Sequence, residues 1–196
     1  ILVYRRQLSL VGWFFLLITL TLWLPIQFQF TAAQSVSYQS ITIQSVADTM
    51  VASGRPDERN GALGFMGVGY AARSGRQIMR SLVGFNLLDI PAGGQILTAT
   101  LSLNLSGTTL NDGSMTVTAS RVLTTWSEDI NWTEHLTLPI AASPQASTVV
   151  RTQRNVWYSW DVTDLVDDWL ADPQRSPLFS VLLRGNESVG DRQRTF

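Results

Sequence analysis

Between residues 80 and 105 the chain reads RSLVGFNLLDIPAGGQILTATLSLNL, and its second half alternates at a period of two. Leu97, Ala99, Leu101, Leu103 and Leu105 take every other place, with Thr98, Thr100, Ser102 and Asn104 between them. That pattern predicts a strand with one face on a core and the other in water. Pro91, Gly93 and Gly94 mark a turn in front of it. The stretch is therefore expected to be a hairpin of two long strands whose apolar face later segments cover.

The same alternation locates the other elements. Residues 35–52 read as a first strand with Ile41, Ile43 and Val46 inward, and residues 53–75 as Gly- and Arg-rich loops around a short strand near 65–70. Asn111-Asp112-Gly113 is a turn signal, after which Met115, Val117 and Ala119 resume the period. Residues 124–139 show no period, and the polar residues 141–154 around Pro144 predict a surface loop. Val156, Tyr158, Trp160 and Val162 predict a strand. TDLVDDWLADP then predicts the one helix. There Thr163 is the cap, Asp164, Asp167 and Asp168 suit the early turns, and Asp172-Pro173 is the stop. Leu165, Val166, Trp169 and Leu170 form its apolar stripe. LFSVLL at 178–183 reads as a strand buried on both faces. Short strands, regular turns and one short helix predict an all-β fold, an antiparallel β-sandwich of jelly-roll-like form.

The N-terminus is of another kind. Arg5 and Arg6 precede a long apolar run that ends in Thr31-Ala32-Ala33, the layout of a secretory signal peptide over residues 1–33, with cleavage after Ala33. Because the run nearly reaches spanning length, an N-terminal membrane anchor is the alternative. Residues 36–196 are left for a single domain.

Composition narrows the chemistry. Cysteine is absent, which excludes a disulfide framework, a thiolate zinc site and a cysteine nucleophile. All 14 cationic residues are arginine; without Arg5 and Arg6, twelve face 15 acids, a balance that argues against nucleic acid as a partner. Arginine's flat, forked donors suit carboxylates instead.

Several residues are candidates on that basis. Arg55, Arg59, Arg73 and Arg76, with Tyr70 as a stacking face, would form a cationic rim if their loops converge; ordinary solvated arginine is the alternative. Trp126 and Trp132 flank Ser127, Glu128, Asp129 and Asn131, and can stack on a pyranose or plug the core. Core is also the expectation for Trp157, Trp160 and Trp169. Arg121 falls on an inward position and needs a carboxylate, from Asp48, Glu128 or Asp161, in a structural ion pair. Asp48, Asp57 and Asn60 can offer oxygens to a structural calcium, although their spacing is not that of an EF-hand. Enzyme readings have little behind them: His135 is the only histidine, and no Ser lies in G-x-S-x-G.

Asp48-Thr49, Asn60-Gly61, RSLVGF, IPAG followed by QILTATLSL, RVLTTWSEDINW and WDVTDLVDDW occur in that order. The series resembles the DNRLRE domain, or disaggregatase-related repeat, over nearly all of residues 36–196. The resemblance implies a β-jelly-roll in an exported or surface multidomain protein, often beside polysaccharide-degrading domains. Some members are carbohydrate-binding modules for alginate. Members usually continue past the point matching Thr195-Phe196 into one further strand, so this copy is expected to lack its last strand. Gly84 departs from the commoner basic or bulky residue of that motif. The expected function is a non-catalytic, secreted or cell-surface module that binds a polysaccharide, such as the acidic alginate, and requires no cofactor. The alternative is a structural or adhesive spacer without a glycan site.

Overall fold

The computed structural model describes residues 2–6, 37–72, 75–88, 90, 95–109, 113–188 and 192–196. Its first strands are β1 (Leu2–Arg6), β2 (Ser37–Ile41), β3 (Ser45–Ala52), β4 (Gly67–Ala71) and β5 (Gln77–Phe85). They are followed by β6 (Gln95–Leu105), β7 (Gly107–Thr108), β8 (Met115–Val122) and a one-turn helix, α1 (Trp132–His135). The chain closes with β9 (Ile140–Val150), β10 (Val156–Asp161), α2 (Thr163–Ala171), β11 (Phe179–Arg184) and β12 (Arg192–Thr195).

These strands form two antiparallel sheets, as the alternation predicts. The smaller has the order β10-β6-β1-β2; the larger runs β7-β12-β4-β5-β11-β8-β9, with β3 also paired to β5. One core joins them, drawing Ala99, Leu101, Leu105 and Trp160 from the small sheet and Val68, Val83, Val117 and Val181 from the large one. The fully buried Trp160 fastens the layers, since its Nε1–H donates to the Val117 carbonyl at 2.8 Å.

The expected hairpin is not one. β5 and β6 are consecutive but belong to opposite sheets, so they do not pair with each other. Alternation reveals which face of a strand is buried; it is silent on the pairing partner. The inward set of β6 also slips once. Ile96 is 5% exposed whereas Leu97 is 42% exposed, and the register against β1 shifts between Val3 and Tyr4. An extra residue in one strand reverses the facing of everything before it.

Other expectations change similarly. Val46 points outward at 57% exposure, and the buried end of β3 is Thr49–Ala52. Residues 141–154, expected as a loop, are mostly strand β9. Its register against β8 is irregular between Ser120 and Val122, and an irregular edge strand tolerates Pro144. Among the described residues there are two helices, not one. The N-cap of α2 is Val162, without a side-chain cap. The Thr163 hydroxyl instead donates to Asp161 Oδ1 at 2.6 Å and accepts the Ala99 N–H at 2.9 Å. Leu165, Val166 and Trp169 are buried as the stripe predicts, and β11 is buried on both faces between β5 and β8.

Leu2–Arg6, inside the segment expected to be an export signal, pairs with β2 and β6; residues 7–36, with the expected cleavage point, lie outside the described residues.

Candidate functional site

The large sheet has two unlike halves on its outer face. Over one, residues 123–139 form a lid, with Ile130, Trp126 and Trp132 packed on Val51, Leu82, Val122 and Leu182. The lid turns at α1. The Asn131 side chain accepts the Glu134 N–H at 2.9 Å, and Glu134 Oε2 accepts the Asn131 N–H at 3.0 Å, a reciprocal cap on a four-residue helix. Asn131→Ala should therefore lower the unfolding free energy by about 1 kcal/mol. Urea denaturation at neutral pH measures it, and an unchanged midpoint contradicts that role for the cap.

The arginines singled out in the sequence are partly gathered at this lid. Ser53 N–H donates to the Ile78 carbonyl at 2.9 Å, so the loop after β3 adjoins the turn before β5. This brings Arg55, Arg59 and Arg76 to neighbouring loops. Two of the three are already neutralised. Arg55 pairs with Glu58 at 3.3 Å, and Arg59 forks onto Glu134 at 2.7 and 3.1 Å while donating to the Asp129 carbonyl. Arg59 and the Asn131 N–H together hold the Glu134 carboxyl below its usual range. Arg76 is exposed at φ 53°, and Arg73 lies outside the described residues. Tyr70 stands half-buried on β4, opposite Ile78 of β5. Trp126 is half-buried against Gly84, where a Cβ would come within 3.5 Å of its ring. The tightest neighbour of such a Cβ is Ser180 Oγ at 3.2 Å, so a side chain at position 84 would press on that serine first.

The remaining expectations are redistributed. Arg121 is buried, but Glu128 is not its partner: its Nε lies 2.9 Å from Asp168 and its Nη1 3.1 Å from Asp172, at the end of α2. The helix lies against β8, while Glu128 sits on the lid and accepts the Asp48 N–H at 2.9 Å. Burial, and then the charge of Glu128, raise the Asp48 carboxyl above its usual range. Asp57 is exposed, and the Asn60 amide donates to the Met50 carbonyl at 3.0 Å. Among the described residues no three His, Asp or Glu side chains gather as a metal set. Trp160 and Trp169 are core, whereas Trp157 stands 66% exposed on β10 beside an apolar groove of about 370 Å³. Among the described residues no charged side chain lines that groove.

The uncovered half of the outer face holds what sequence reasoning missed. Thr116 and Thr118 of β8, Arg184 of β11, Asn186, Glu187 and Arg192 line a polar cleft of about 520 Å³, a size suited to a small ligand. Beside it Arg80 grips Glu187 in a fork, Nε to Oε1 at 2.7 Å and Nη2 to Oε2 at 2.8 Å. Arg80 also stacks 5.0 Å from the Trp132 ring and places Nη1 3.1 Å from His135 Nε2. The His135 Nδ1 faces the Trp132 carbonyl, so both ring nitrogens are occupied. Burial first, and the Arg80 and Arg184 charges after it, bring this histidine down to about 4. The sequence did carry one signal: Arg184 continues the parity of Ser180 and Leu182, which puts it on the same outer face as Arg80 and Leu82.

The chain belongs to carbohydrate-binding module family 96, whose family model matches residues 39–195. No curated protein gives a significant match.

Proposed function

We propose that this chain is an exported, non-catalytic module that tethers a larger protein to an acidic polysaccharide such as alginate. The family assignment carries the carbohydrate half of that reading. The acidic half rests on two of the arginines left over once the ion pairs are made: Arg184 and Arg192 form no salt bridge among the described residues, and both border one cleft. Guanidinium groups so placed favour carboxylate-bearing chains over neutral ones. The burial of His135, with both nitrogens engaged, supports a role without acid–base chemistry.

Isothermal titration against alginate, pectate and a neutral glucan tests the reading. Binding to the uronate polymers that weakens as salt rises is expected, with no new reducing ends or unsaturated products after prolonged incubation. Flat titrations across the whole panel would leave the spacer role in its place.

A further inference from the structure

We propose that the cleft lined by Thr116, Thr118, Arg184, Asn186, Glu187 and Arg192 is the polysaccharide seat, with Arg184 as the residue that grips a sugar carboxylate. The inference rests on the acidic-polysaccharide reading above and adds the place and the contacts.

Arg184 differs from its neighbours in how its charge is met. Arg55, Arg59, Arg80 and Arg121 each touch a carboxylate oxygen within 3.3 Å. Arg184 stands half-buried next to Glu187, yet both oxygens of that acid are taken by Arg80. The Arg184 Nε–H is buried without a hydrogen-bond partner among the described residues, a costly state for a charged donor. Burial and the nearby Arg80 push this guanidinium below its ordinary value, and a bound anion would relieve both effects. Arg192 adds a second cation to the rim, and Thr116, Thr118, Asn186 and Ser188 supply hydroxyl and amide partners of the kind a sugar ring needs.

Glu187 limits what can enter. Held by Arg80, it keeps one negative wall inside a cationic cleft. A chain with one carboxylate per sugar and free hydroxyls between fits that pattern: the acid faces Arg184 and a hydroxyl donates to Glu187. A densely sulfated chain would meet that wall with like charge.

The test uses the whole chain and three ligands: oligouronates cut from alginate, the same oligomers with their carboxyls reduced to alcohols, and dextran sulfate. The variants are Arg184→Met, Arg184→Lys and Arg192→Gln, with Arg55→Gln and Arg76→Gln as loop controls. Circular dichroism and melting confirm which of them are folded. Arg184→Met should weaken oligouronate binding by about tenfold or more, the scale of a lost charge-assisted bond. Arg184→Lys should restore only part of it, and the loop controls should bind within about twofold of the parent. Should Arg184→Met be misfolded, Arg192→Gln carries the same comparison, with a smaller loss expected from a rim charge. The parent should bind carboxyl-reduced oligomers and dextran sulfate more weakly than oligouronates.

Three results overturn the assignment, and they are separable. If the loop controls lose binding while the cleft variants keep it, the seat is wrong and the acidic-glycan reading stands. If reduced and native oligomers bind alike, charge recognition falls and sugar binding survives. If the parent binds none of the three ligands, both the seat and the function fall together.

Discussion

Replacing Arg194 with Met should lower the unfolding free energy by about 3–5 kcal/mol, and the melting temperature by on the order of 10 °C. Arg194 is fully buried in β12, and its donors are spread over backbone from distant parts of the chain. Nε donates to the Arg151 carbonyl at 3.0 Å, and Nη1 to Thr108 Oγ1 at 3.0 Å and the Gln193 carbonyl at 2.9 Å. Nη2 reaches the Gly113 carbonyl at 2.5 Å and the Val150 carbonyl at 3.3 Å. One planar group thus closes the ends of β7, β9 and β12 and the turn before β8. Methionine fills the volume and leaves those carbonyls without donors, each at a cost of about 1–3 kcal/mol. Arg194→Lys should recover little, because an ammonium cannot span the same fork. Chemical denaturation of the three proteins settles the point: a Met variant within about 1 kcal/mol of the parent would show that the clasp is dispensable.

The second large effect follows from acid. His135 titrates near 4 when folded against 6.5 in its ordinary state, so folding favours the neutral ring. Stability from this group is therefore complete above pH 6.5 and declines as pH falls toward 4, by about 3 kcal/mol in total. Geometry gives the reason. A proton on Nε2 would meet the Arg80 Nη1 donor at 3.1 Å, with Arg184 close by, and only Glu187 would offset the charge. Glu134, Asp161 and Asp172 are held below their usual range, and the carboxyls of Asp48 and Asp167, which are raised, are common to parent and variant, so it is the comparison with a His135 variant that isolates the effect. Guanidinium midpoints at pH 5 and 7 should differ in the parent and converge in His135→Gln. Equal midpoints in the parent would show that water reaches the ring.

How much of this was open to inspection in the sequence depends on the kind of contact. Faces were legible: Ala99, Leu101, Leu105, Met115, Val117 and Trp160 are buried as the period of two requires. Pairing was not, because a strand's partner is chosen across the whole chain, and so β5 and β6 were joined as a hairpin when they face each other across the core. Strand β9 escaped because Ser, Thr, Gln and a proline dominate it; only Ala141, Ala146 and Val150 are fully buried among its described side chains, too thin a pattern to stand out. The sites divide in the same way. That Arg121 would be buried and paired was legible from parity, yet its acids come from α2, about 50 residues on. The loop arginines drew attention by their density, but density does not show that Glu58 and Glu134 absorb them. The cleft was hidden because Arg184 ends one unremarkable strand and Arg192 opens another, and only the folded chain brings both to one rim.

Strand β11 has a further consequence for how such a chain comes into being. It fills the place between β5 and β8, yet it leaves the ribosome after both, more than ninety residues behind the end of β5. Until Phe179–Arg184 arrives, two apolar strands wait with open edges, and the architecture completes itself like an arch whose keystone is set late. A nascent chain interrupted before that point is the form most exposed to sticking to its neighbours.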